Sequence, residues 1–132
     1  MKYLLITLIF ISSTLCHGQK DDRITTIDFV QIINDNKAEA LYYFENNWKV
    51  LRKSAIEKGY IHSYQMMETE YSENAPFHLM FITTYVNEEQ YKLREENFGE
   101  LIAEKGELKL MNEKQPGEFR KSVFVKEEVK HL

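Results

Sequence analysis

The sequence predicts one α+β domain in which four antiparallel strands form a sheet and two helices cover one of its faces. Three observations predict it. Four runs rich in β-branched and aromatic residues are separated by turn-forming clusters. Two stretches between them carry apolar residues at helical spacing, and each ends at a glycine. The runs follow one another as strand, helix, strand, strand, helix, strand, in a chain of 132 residues. That length leaves room for a single domain at roughly 150 residues per domain.

The first strand is read over 24–33 (ITTIDFVQII), which is β-branched and apolar. Asn34, Asp35 and Asn36 break it, and Asn36 with Glu39 three residues on predicts a capping box. Leu41, Phe44, Trp48, Leu51 and Ala55 then recur at +3, +4, +3, +4 and place one apolar stripe on a helix. Gly59 stops that helix at the position after the C-cap. Residues 60–71 (YIHSYQMMETEY), a turn at 72–76 and residues 77–86 (FHLMFITTYV) predict an antiparallel hairpin, with Tyr71 set opposite Phe77. Asn87 and Gln90 open a second helix with similar capping logic. Tyr91, Phe98, Leu101 and Ile102 form its apolar side, and Gly106 ends it. Gly99 inside it costs about 1 kcal/mol relative to Ala. Pro116–Gly117 marks a turn, 118–127 (EFRKSVFVKE) reads as the last strand, and the tail is charged.

The N-terminus reads as an address. Met1 and Lys2 give a basic start, 3–15 is an apolar run, and Cys16, His17, Gly18 and Gln19 follow. A run of about a dozen residues is too short to span a bilayer as a helix. The layout is that of a cleavable secretory signal over 1–18, with cleavage before Gln19. Its ending, a small residue followed by Gln, resembles secretory signals of Bacteroidota. A lipoprotein acylated at Cys16 is an alternative that the bulky Leu15 fits poorly, and an uncleaved anchor is another. The expected mature chain, 19–132, is exported to the periplasm or the extracellular space and free of the membrane.

Composition narrows the chemistry. With 43% hydrophobic and 29% charged residues the chain is neither disordered nor fibrous. The 17 Lys and Arg against 21 Asp and Glu argue against nucleic acid as a partner, and basic stretches with interleaved aromatics are absent. One cysteine excludes an intrachain disulfide framework and a Cys-based zinc site. That cysteine leaves with the signal, so the mature chain has no thiol nucleophile. There is no Gly-rich phosphate loop, His-Glu-x-x-His, nucleophile elbow or EF-hand loop, and no cofactor is expected.

The strand–helix–strand–strand–helix–strand order is the ferredoxin-like pattern. A sheet with one wetted face alternates cleanly between apolar and polar, and the hairpin does not. In the register set by Tyr71 and Phe77, one face carries Met67, Phe77, Leu79, Phe81 and Tyr85, the other Tyr64, Met66, Met80, Ile82 and Val86. In the last strand Phe119, Val123 and Val125 point one way and Phe124 the other. Two helices cover one face only, and an exposed apolar patch marks an association surface. The expected solution is a homodimer with two sheets packed face to face, against a monomer with scattered exposed apolars.

The order, the mature length and the segment Phe44–Gly59 (FENNWKVLRKSAIEKG) running into Tyr60–Thr69 (YIHSYQMMET) resemble dimeric α/β-barrel proteins, among them NIPSNAP-like and antibiotic-biosynthesis-monooxygenase-like domains. The resemblance covers most of the mature chain and is one of pattern. Its relatives include cofactor-free oxygenases, haem-handling enzymes, isomerases and modules without known chemistry, so the fold does not choose among them. No diagnostic catalytic motif is present, and no active-site residue carries over.

The candidate ligand-binding residues are Trp48, His62, Tyr64, Glu70 and His78. In the register above, His62 and His78 share a face with Tyr64, Glu68 and Glu70, and His78 lies opposite Glu70. Cross-strand Cβ atoms are about 5 Å apart, close enough for His78 and Glu70 to share a proton or to contribute to a metal site. No third ligand is apparent, no metal is expected, and a hydrogen-bonded histidine at a strand end explains the same residues. Trp48 is a core residue or a wall of a pocket between helix and sheet. Asn46 and Asn47 are unusual in mid-helix, and solvent exposure accounts for them. Met66, Met67, Met80 and Met111 would pack, or line an adaptable cavity. Arg120 or Lys121 would hold an anion, the other facing solvent.

The expected function is non-catalytic binding of a small apolar or aromatic ligand, or of a protein partner, by an exported dimer. The alternative is a cofactor-free oxygenase or isomerase with His62, Tyr64 or His78 as acid–base group. A pocket of roughly 300 Å3 or more with these side chains converging in it favours a ligand binder or an enzyme; a filled interior favours a structural role.

Overall fold

The computed structural model describes residue 18 and residues 20–132. The expected signal segment, its cleavage site and the lipidation alternative at Cys16 lie outside the described residues. No helix among the described residues is long and apolar enough to cross a membrane.

Strands β1 (Ile24–Ile32), β2 (Ile61–Glu68), β3 (Leu79–Tyr85) and β4 (Arg120–Lys130) form one sheet in the order β2-β3-β1-β4, every neighbouring pair antiparallel. Between β1 and β2 run α1 (Lys37–Tyr43), a π-helical turn (Phe44–Trp48) and α2 (Lys49–Glu57), continuous with one another. Helices α3 (Glu88–Lys92) and α4 (Arg94–Lys105) follow β3, and a short α5 (Pro116–Phe119) precedes β4. This is the ferredoxin-like arrangement that the sequence predicts.

Register decides which side chains meet the helices. Ile24, Thr26, Asp28 and Val30 pair with Tyr85, Thr83, Phe81 and Leu79, so these eight share one face. Ile61, Tyr64 and Met66 pair with Tyr85, Thr83 and Phe81 and join them. The core lies between this face and the helices. Ile24, Ile61 and Tyr85 pack with Ala55, Tyr91 and Leu101, while Val30, Leu79 and Phe81 pack with Phe44.

The hairpin register differs from the expected one by a single residue. Glu68 pairs with Leu79 and Tyr64 with Thr83, because Ser72 and Ala75 close a tight turn around Glu73–Asn74 and Pro76 falls outside it. A one-residue slip exchanges the faces of a strand. Tyr64 and Met66 therefore lie under the helices and Met67 on the open face, the reverse of the expectation for all three. On β3 the expected division of Leu79, Phe81 and Tyr85 from Met80 and Ile82 holds, whereas Phe77, expected with the first group, packs on Phe29 of the open face. The open face carries Ile27, Phe29, Met67, Met80, Ile82 and Phe124 among polar neighbours, and Phe29 stacks on Phe124 with ring centroids 4.3 Å apart.

Most local signals behave as read, and a few do not. Gly59 has φ +75°; its N–H donates to Ile56 O and that of Tyr60 to Ala55 O, a Schellman ending. Asn87 Oδ1 accepts from Gln90 N at 2.9 Å. The expected Asn36–Glu39 capping box is not made, because long-range partners take both side chains. Asn36 donates to Glu118 O and accepts from Lys114 Nζ, and Glu39 accepts from Asn112. Ile102, expected on the apolar side of its helix, is 55% exposed. Phe119 is fully buried in α5 rather than in a strand.

Candidate functional site

The π-helical turn is the local feature on which the site is built. A five-residue turn puts one extra residue into the helix, shifts the phase of the side chains after it, and leaves backbone carbonyls short of their usual donors. The two asparagines supply them. Asn46 Nδ2 donates to Tyr42 O at 2.8 Å and Asn47 Nδ2 to Tyr43 O at 2.9 Å. Asn47 is 2% exposed, which corrects the solvent-facing reading. It also donates to Lys109 O, accepts from Lys109 N, and accepts from Lys105 Nζ, each within 2.7–2.8 Å. One buried amide thus ties the helix to the segment that leaves α4. Phe44, Asn47 and Trp48, all in the turn, face the interior together.

Beneath them lies a cavity of about 320 Å3. Phe44, Trp48, Leu51 and Arg52 form its roof, Asp28, Val30 and Phe81 its floor. Ile102 and Leu108 stand at its rim, where Ile102 gains a reason to be exposed. Its walls are aromatic. Phe81 lies 4.3 Å from Phe44 and 4.9 Å from Trp48, centroid to centroid. Tyr43, Arg120 and Ser122 close the side nearest β4.

Besides Lys105, three charged side chains line this apolar space. Arg52 is sandwiched between Trp48 and Phe98, its guanidinium 4.6 and 4.3 Å from the ring centroids, and its Nε donates to Thr83 Oγ1 at 3.1 Å. Burial lowers its pKa to about 10, against the pull of Tyr85 and Asp28. Burial pushes the Asp28 carboxyl upward, and Arg52 offsets only part of that shift. Arg120 lies over Tyr43 and Phe44, at 5.4 and 5.9 Å, and its Nε is buried without a hydrogen-bond partner. Such a group costs about 1–3 kcal/mol when left unmade.

The structure brings one of the five sequence-predicted residues into the cavity. Trp48 lines it. Tyr64 packs edge-on behind Trp48, with centroids 5.6 Å apart, and reaches the cavity only through it. His62 sits at the bulge that starts β2, exposed, with Nε2 3.1 Å from Arg23 Nη1. His78 faces the other way; its Nδ1 accepts from Ile32 N at 2.9 Å and its ring stacks on Tyr71. The expected Glu70–His78 pair is not formed, since Thr69 rather than Glu70 bonds to the His78 backbone in the true register. Glu70 is exposed. The shared face expected for His62, Tyr64, Glu70 and His78 is likewise lost, His78 through that register and His62 through the bulge between Ile61 and Ser63. Among the four methionines considered for a cavity, none lines this one.

Sequence reasoning passed over Asp28 and Arg52. The signal for each was present. Asp28 is a charge at an inward position of an otherwise apolar run, and Arg52 follows Phe44 and Trp48 at four-residue steps. Of Arg120 and Lys121, the first is inward beside Ile32 and the second opposes Gln31 on the open face.

No family model matches the chain, and no curated protein does. Among solved structures, HapK from Hahella chejuensis superposes with a TM-score of 0.50 over 83% of this chain and 92% of its own, at 12% identity. That likeness shows the ferredoxin-like fold.

Proposed function

We propose that the protein binds a small apolar or aromatic molecule in the cavity under the π-helical turn, as an exported homodimer. The observation that carries this reading is the cavity itself. Side chains of this size ordinarily interdigitate and leave few voids larger than water, yet Phe44, Trp48 and Phe81 surround about 320 Å3. That lies within the range of small-molecule sites, roughly 300–1,000 Å3, mostly apolar with a few placed polar groups. The open sheet face supports the dimer, since Phe29, Phe77 and Phe124 form an aromatic cluster there that the helices do not reach. This reading packs two such faces together and assigns the chain to the dimeric α/β-barrel proteins of NIPSNAP-like or antibiotic-biosynthesis-monooxygenase-like type.

A cofactor-free enzyme is the second reading, and one observation favours it. Asp28 is a carboxyl in an aromatic cavity with its pKa raised by burial, as suits a general base. His62, Tyr64 and His78, the acid–base groups expected from sequence, do not line the cavity. Native mass spectrometry of the processed protein from its own source tests the first reading. A mass of two chains with a retained small organic molecule is the expected result. A single bare subunit that also fails to take up any aromatic compound contradicts it.

A further inference from the structure

The cavity has more positive charge than its own groups consume. Arg52, Arg120 and Lys105 reach it, and Asp28 is its one acidic lining residue. Lys105 is engaged, its Nζ bonded to Asn47 Oδ1 at 2.7 Å and to Glu107 O at 3.0 Å. Arg52 commits Nε to Thr83 Oγ1, and its side chain lines the cavity. Arg120 commits nothing through Nε. Two arginines whose guanidinium groups lie on aromatic faces therefore line space that the protein leaves empty.

We propose that the occupant is an aromatic carboxylate, its ring between Trp48, Phe44 and Phe81 and its anionic group received by Arg120 with Arg52 in support. This rests on the cavity being a ligand site and names the class of ligand. A guanidinium presents a planar fork of donors that matches a carboxylate, and charge-assisted bonds of this kind are about twice as strong as neutral ones. The slot supplies the flat, apolar half of the recognition and the arginines the charged half.

Isothermal titration calorimetry with naphthalene-2-carboxylate and naphthalene-2-carboxamide tests this. The two probes share the ring system and differ in charge. The carboxylate is expected to bind about ten-fold more tightly or better, the factor that about 1.4 kcal/mol gives. In R120Q that preference falls to within about two-fold while amide affinity is kept, and R120K, which keeps the charge and loses the fork, falls between the two. Equal affinity of both probes for the wild type overturns the anion proposal and leaves the ligand site standing. Binding of neither overturns the site and the proposal together. If R120Q does not fold, R120K carries the comparison, and an unchanged preference in R120K overturns the role of Arg120.

Discussion

Replacing Asn47 by Ala tests whether one buried amide holds the site together. Its side chain makes four hydrogen bonds, to Tyr43 O, Lys109 O, Lys109 N and Lys105 Nζ, and is 2% exposed. Alanine removes all four. The Tyr43 carbonyl then lies beneath the helix without its donor, whereas the Lys109 groups, on an exposed residue, recover water in part. Each buried group left unmade costs about 1–3 kcal/mol and each ordinary bond lost about 0.5–1.5. The better helix propensity of Ala returns roughly 0.5 kcal/mol. The net loss is about 2–4 kcal/mol, a large share of the roughly 5–15 kcal/mol of an ordinary domain. In urea, with a slope of about 2 kcal/mol per molar, the midpoint should fall by about 1–2 M. N47D keeps the two acceptor contacts and should fall between N47A and the wild type. N46A removes a single bond on the outer side and should cost no more than about 1 kcal/mol. If N47A unfolds within about 0.3 M of the wild-type midpoint, the π-helical turn does not depend on this residue.

Three further outcomes follow from the same structure. In G59A, a Cβ meets no atom within 4 Å but must adopt φ +75°, so the loss is backbone strain alone, about 1–2 kcal/mol in a denaturant melt. Burial favours the neutral form of Asp28, so its folded-state pKa lies above the unfolded one; that stabilisation is complete in acid below the unfolded value and is lost as pH rises through the folded value. D28N should therefore melt above the wild type at neutral pH, with the gap closing as pH falls below the ordinary carboxylate range. Phe124→Asp, on the open face against Phe29, should sediment as single chains with a circular dichroism spectrum like that of the wild type.

Much of the architecture was legible because it rests on local signals. Gly59 and Gly106 mark helix ends through a positive φ that few other residues adopt, and Asn87 marks a helix start through its side-chain cap. Asn36 shows the limit: its side chain suits a cap, but Lys114 and Glu118, far along the chain, compete for the same atoms and win. The hairpin shows a sharper one. The residues of both strands were identified, yet a turn one residue tighter than expected moved Tyr64 and Met66 to the other face and dissolved the His78–Glu70 pair. The candidate site suffered most from this, because it was assembled from strand parity. Trp48 survived because helical spacing does not depend on register. Asn47 was misread because the extra residue of a π-helical turn leaves no mark in an apolar stripe of +3 and +4 steps.

Trp48 is the only tryptophan in the chain, and it lines the cavity. Its indole N–H is thus a single reporter for the claim that this space receives a small aromatic molecule. In a proton–nitrogen correlation spectrum titrated with naphthalene-2-carboxylate, that one signal should shift and saturate, together with the backbone signals of Phe44 and Phe81. Movement confined to Met80, Ile82 and Phe124 on the open face, with the indole signal unmoved, would contradict the account.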